Sequence, residues 1–121
     1  MSSYRSKPEL HMKGWGYEQW IANSELYCGK LLKFINGKQC SWHYHEDKTE
    51  HFFIQEGKLQ IQFGFDDDIT KATGMILYPG DVFKVPRGMR HRMRAMHGDC
   101  TMFEFSTQHF EEDSYRIEKG D

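Results

Sequence analysis

The stretch GKQCSWHYHEDKTEHFFIQEG, residues 37–57, decides the fold. His43 and His45 are two apart, a spacing that puts both imidazoles on one face of a strand and turns Tyr44 to the other. Glu50 follows after a four-residue turn and opens a second run in which Phe52 and Ile54 share its face. Two imidazoles and a carboxylate on neighbouring inward faces can converge on one ion. Further on, GDVFKVPRGMRHRMRA, residues 80–95, supplies His91 as a fourth ligand from a distant strand. Nitrogen and oxygen donors in this mix suit one divalent ion of Zn, Mn, Fe, Co or Ni rather than a thiolate-preferring metal. Four protein ligands leave a position or two on an octahedral ion for water or substrate, and such a site is reactive.

The rest of the chain agrees with strands. Helical periodicity is absent, and short apolar or alternating runs are closed by Gly, Pro or Asp turns, the pattern of an all-β barrel or sandwich. Strands are expected near Lys30–Ile35, Ser41–His45, Glu50–Gln55, Leu59–Phe65, Lys71–Tyr78, Val82–Val85, His91–Met96 and Thr101–Ser106. Leu59, Ile61, Phe63 and Phe65 share one face, with Gln60 and Gln62 on the other, as in a half-buried strand. Residues 1–13 are polar and unpatterned and are expected to form an arm, leaving 14–121 as one domain.

Bulk properties narrow the function. A chain of 121 residues is the size of one domain, and 15% aromatic residues give it a compact core despite a modest apolar fraction. The net charge of −2 offers no pull toward nucleic acid or an acidic membrane. No apolar run approaches the ~18 residues of a spanning helix, and no leader peptide is evident, so a cytoplasmic location is expected. Cys28, Cys40 and Cys100 are odd in number and read as small core residues of a reducing compartment. Asp66-Asp67-Asp68 reads as a solvated loop tip. Trp15, Trp20 and Trp42 are more large rings than one small barrel easily hides, so a homodimer is expected, with Trp42 and Tyr44 packed against the partner subunit.

The spacing Gly37-(five)-His43-x-His45-(four)-Glu50-(six)-Gly57 resembles the first cupin motif. Gly80-(five)-Pro86-x-Gly88-(two)-His91 resembles the second, with Ala95 standing where its final Asn usually falls. The resemblance implies a double-stranded β-helix, the cupin jelly-roll barrel. Trp15-Gly16-x-Glu18-x-Trp20, Tyr27-x-Gly29-Lys30, Gly80-Asp81, His91-Arg92, Glu104-x-Ser106-Thr107 and Asp113-x-x-Arg116 occur in order. Together they resemble the cupin domain of type II mannose-6-phosphate isomerases, although that family commonly carries Gln where His43 stands. This likeness implies a metal-dependent aldose–ketose isomerase acting on a sugar phosphate. Lys48 falls at a basic position of the family and Arg116 at its C-terminal arginine, which implies catalytic roles for both. Arg87, in the loop before His91, is the candidate for holding the phosphate.

Two other functions compete: a non-catalytic sugar-binding module, and an iron-dependent dioxygenase, which uses a similar ligand set. Basic groups at the barrel mouth favour the isomerase and an apolar mouth the dioxygenase. Arg90, Arg92 and Arg94 alternate with His91 and are expected to point out of the barrel into solvent or an interface. His51 follows Glu50 and faces away from the ion, while His11, His97 and His109 read as surface residues.

Overall fold

A computed structural model describes residues 3–121. Nine strands occur among these residues: β1 (Glu9–Lys13), β2 (Gly16–Asn23), β3 (Cys28–Phe34), β4 (Trp42–Tyr44), β5 (Glu50–Gly64), β6 (Thr73–Leu77), β7 (Val82–Val85), β8 (Arg90–Ser106) and β9 (Tyr115–Glu118). One path of antiparallel neighbours runs β1-β2-β3-β8-β4-β9, and β5 pairs with β6, β7 and β8. The result is an all-β jelly-roll barrel.

Two long strands close it. The first half of β8 pairs His91 with Phe63 of β5 and with His43 of β4, while its second half pairs Glu104 with Phe52 of β5 and with Lys30 of β3. Each strand bends midway, β5 through register shifts around Glu56 and β8 through His97 and Gly98 at φ of 57° and 131°. Gly57, at φ 84°, is needed at the bend, because a Cβ there would run into the Asp99 carbonyl. The four strands expected at Glu50–Gln55, Leu59–Phe65, His91–Met96 and Thr101–Ser106 are therefore two rolled strands, because bulges with turn-type residues leave the ladder continuous.

Alternation decides what faces in. In β3, Cys28, Lys30, Leu32 and Phe34 are buried and the residues between them only partly so. Leu32, Phe34, Ile54, Leu59, Ile61 and Met102 fill the barrel, and Trp15 stacks on Phe34 at 4.2 Å between ring centroids. Phe65, expected on the inner face, is exposed because β5 ends at Gly64. All three cysteines are free and buried, as expected.

Other expectations change. Glu9–Lys13 of the expected arm is β1, hydrogen-bonded along β2. Trp42 is completely buried within the single chain, with Nε1 donating to the Asp67 carbonyl, so it does not await a partner. Trp15 is also buried and Trp20 half-buried. Arg92 does point out of the barrel, yet it is buried: it donates to the carbonyls of Cys40 and Lys119 and so ties the C-terminal segment down. Arg90 lies 3.6 Å from the Tyr44 ring centroid and pairs with Asp67. Among the described residues no helix is long and apolar enough to cross a membrane.

Candidate metal centre

His43 and His91 are direct partners across β4 and β8, and His45 follows at the end of β4. One nitrogen from each of the three lies within 4.8 Å of the others. Each ring is aimed by its own backbone bond: His43 Nδ1 lies 2.9 Å from the Ser41 carbonyl, His45 Nδ1 3.0 Å from the Asp113 carbonyl, and His91 Nδ1 3.0 Å from the Met89 carbonyl. A carbonyl only accepts, so each Nδ1 carries the hydrogen and each Nε2 presents a lone pair. That is the arrangement in which a backbone acceptor fixes the tautomer of a metal-ligating imidazole.

Glu50 borders this cluster. Its Oε2 lies 3.2 Å from His91 Nε2 and 3.6 Å from His45 Nε2, and both Glu50 Oε2 and His91 Nε2 are buried without a hydrogen-bond partner. Two acceptors thus face each other in the interior, where an unsatisfied polar atom is costly. A cation between them removes the conflict, and the donor set of three imidazoles and one carboxylate fits a divalent ion.

Electrostatics keep the donors in their binding states. Burial, with the neighbouring His91 and His45, pushes His43 well below the ordinary imidazole range. Burial also pushes His45 down to about 4 despite Glu50. Burial alone would raise Glu50, but Lys48 and the histidines outweigh it and hold the carboxyl well below its usual value. Neutral His43 and His45 beside an ionised Glu50 are what a metal requires.

Behind the donors lies a second layer of charge. Lys48 Nζ reaches Glu50 Oε1 at 3.2 Å, Glu104 Oε2 at 3.0 Å and His109 Nδ1 at 3.0 Å. Its turn is held in place by the Asp113 carboxylate, which accepts the backbone N–H groups of Glu46, Asp47 and Lys48 at 2.9, 3.1 and 3.0 Å. Burial lowers the Lys48 pKa, but Glu104 and Glu50 raise it more, so the ammonium is held charged. Across β3, Lys30 sits 4.3 Å over the Trp20 ring and 3.6 Å from Glu18.

A cavity of about 270 Å³ joins these groups. It is lined by His43, His45, His91, Glu50 and Lys48, with Phe52 and Met93 among its apolar walls and Glu111, Arg116 and Lys119 among its polar lining. Arg116 lies on β9 beside His43, half exposed and bound to Glu111 at 2.7 Å. Arg87 is exposed outside this lining and donates to the Asp47 carbonyl at 2.7 Å. Cys40 lines the cavity too, with its thiol pushed up by burial to about 12.

His109, read from sequence as a surface residue, is buried and belongs to the site, as does Glu104. No spacing rule reaches either one. The sequence signals for Glu104 are its place in the Glu104-x-Ser106-Thr107 motif and a charged residue on the inward phase of an alternating strand; His109 has none.

The cupin domain family matches residues 31–106. The uncharacterized protein YdbB of Bacillus subtilis (strain 168) is 32% identical over 75 residues, 62% of this chain and 59% of that protein. The capsular polysaccharide assembling protein CapF of Staphylococcus aureus superposes at a TM-score of 0.81 with 17% identity, over 95% of this chain and 35% of CapF. KdgF from Halomonas sp. superposes at 0.72 with 16% identity, over 86% of this chain and 91% of KdgF. The chain thus spans less than two thirds of YdbB and about a third of CapF, and at such identities the structural likeness speaks for the fold. With a family match over most of its length and the motif histidines gathered at one point, the chain belongs to the cupin domain family, in its metal-binding form.

Proposed function

We propose that the protein is a metal-dependent isomerase of small sugar-type substrates, of the aldose–ketose, sugar-phosphate kind. The observation that carries this reading is the pair of facing acceptors, Glu50 Oε2 and His91 Nε2, in a cavity that also holds buried acid and base groups. His43, His45, Glu50 and His91 would hold the ion, which would polarise the oxygens on adjacent substrate carbons. The remaining work falls to the chain. Lys119 and Arg116, the latter also bound to Glu111, line the cavity and are cations able to meet a phosphate or a developing oxyanion, whereas Arg87 lies outside the lining, bound to the Asp47 carbonyl. Phe52 and Met93 exclude water from part of the cavity. About 270 Å³ is just below the usual span of ligand pockets, which suits a small substrate.

CapF is by its description a capsular polysaccharide assembling protein, which agrees with carbohydrate chemistry. A lining that includes Lys13, Lys119, Arg116 and Glu111 favours a polar substrate over the apolar substrates of the dioxygenase reading. The test is deuterium incorporation at C2 of mannose 6-phosphate in heavy water, with protein loaded with Zn, Mn, Co or Fe. Incorporation supports the isomerase. Its absence across hexose and pentose phosphates contradicts it.

We also propose a cytoplasmic homodimer. The outer face of the sheet carries an apolar row in register across four neighbouring strands, Leu31, Phe103, Phe53 and Val82, continued beyond Gln19 by Leu10, with Phe105 exposed beside it. This row, rather than the buried tryptophans, supports pairing of two copies.

A further inference from the structure

We propose that Glu104 is the catalytic residue that takes up and returns the substrate proton, while Lys48 and His109 are positioning residues that hold it. The inference rests on the isomerase reading and names the group that would act as its base.

Three observations assign the role. First, Glu104 faces inward on β8 and lines the cavity shared with His43, His45 and His91. Ser106, two residues on, is the direct partner of Glu50 across β5. Second, the hydrogen bonds to Glu104 all fall on one oxygen: Lys48 Nζ and Ser106 Oγ each donate to Oε2 at 3.0 Å. Oε1 keeps its lone pairs, and the two donors fix its direction. Third, the other buried groups are committed. Lys48 spends its three N–H bonds on Glu50, Glu104 and His109, so it cannot also reach a substrate carbon. Because an ammonium only donates, His109 Nδ1 must accept from Lys48, which leaves the hydrogen on Nε2, facing Glu111 Oε2 at 3.4 Å. Glu50 has Oε1 on Lys48 and Oε2 on the histidine cluster. Glu18 also takes its partners, Trp20 Nε1 at 2.8 Å and Lys30 Nζ at 3.6 Å, on one oxygen, but it lies on β2, with β3 and β8 between it and the strand that carries Glu50. Burial and the nearby Glu50 also hold the Glu104 carboxyl above its ordinary value, the direction that makes a carboxylate a stronger base.

The step balances within the substrate. Glu104 Oε1 takes the proton from C2 as the C–H pair becomes the C1–C2 double bond and the C1 carbonyl pair moves onto its oxygen. The proton of the C2 hydroxyl passes to the C1 oxygen, C2 becomes the carbonyl carbon, and Glu104 returns its proton to C1. No external oxidant or reductant is required.

The experiment compares wild type, Glu104→Gln and Glu104→Asp, each loaded with metal, for metal content, calorimetric affinity for mannose 6-phosphate, and deuterium incorporation at C2. Glu104→Gln keeps the shape and the Lys48 contact, so metal content and affinity should stay within about twofold while incorporation falls about 10³-fold, within the range for a general base. Glu104→Asp retains a carboxylate drawn back by one methylene and should fall between the two. It decides the matter if the Gln variant does not fold. Incorporation above a tenth of wild type in Glu104→Gln, or in Glu104→Asp at wild-type rate, overturns the assignment and leaves the isomerase reading standing. A wild type that neither exchanges nor converts aldose to ketose phosphate overturns both.

Discussion

The carbonyl of Asp113, near the C-terminal end, accepts the Nδ1 hydrogen of His45 at 3.0 Å, 68 residues away in sequence. The same residue's carboxylate gathers the backbone N–H groups of the turn that carries Lys48. Beside it, Arg116 on β9 is the direct partner of His43 on β4. The tail is therefore part of the candidate metal centre.

Truncation after Thr107 should accordingly lose metal as well as turnover, because it removes the acceptor that orients His45 and the strand beside His43. Asp113→Ala keeps the carbonyl but frees the turn, and should weaken metal binding about 10- to 100-fold, the usual effect of losing an outer-shell partner. Arg116→Ala should keep its metal and lower kcat about 10²-fold. Metal content by plasma mass spectrometry separates the three, and a truncated protein with full metal would contradict this reading.

Lys48→Met leaves Glu50 and Glu104 buried without their shared cation. Breaking a buried pair on one side costs about 3–5 kcal/mol, read as a lower urea midpoint. Adding Glu104→Gln removes one of the stranded charges, so the double variant should recover much of the loss. Additive losses in the double-variant cycle would show that the two residues are not coupled.

Acid should destabilise the metal-free protein over a defined window. His45 and His109 are both lowered to about 4 and His43 lies well below 6.5. The unfolded chain takes up these protons from about pH 6.5, whereas in the folded chain His45 and His109 do so only near 4 and His43 well below 6.5, so stability present above 6.5 is lost as pH falls below it. Glu104, raised by burial, acts in the opposite sense: its contribution is present below the ordinary carboxyl value and lost as pH rises through its folded value. Three imidazoles outweigh one carboxyl. The melting temperature should drop steadily from pH 6.5 to pH 4, and a flat profile would contradict the buried neutral histidines.

If the apolar row on the outer sheet face pairs two copies, sedimentation at micromolar concentration should show a species of twice the 14.4 kDa chain. Phe103→Lys, at the centre of the row, should convert it to monomer without loss of metal. A wild-type monomer at that concentration would contradict the pairing.

Much of this was legible in the sequence where the determinants are local. His43 and His45 are set by the period of one strand, and Glu50 by a short turn. His91 could be placed because Pro86 and Gly88 mark the turn before it. Strands β1, β2 and β9 were missed because their runs lack clean alternation: His11 and Trp20 stack on each other at 4.0 Å across strands, a relation with no local signature. The roles of Glu104 and His109 arise from contacts with Lys48 over 56 and 61 residues. Arg92 could be assigned its direction but not its burial, since the tail that covers it comes from the far end of the chain.

The central claim is that His43, His45, Glu50 and His91 form one metal centre. Calorimetric titration of chelator-treated protein with Zn, Mn, Co and Fe(II), repeated on His45→Ala and His91→Ala, tests it most directly. The wild type should take up one equivalent of at least one of these ions, with a rise in melting temperature, and each variant should lose most of that binding. A wild type that binds none, or variants that still bind one equivalent with unchanged affinity, would contradict the account.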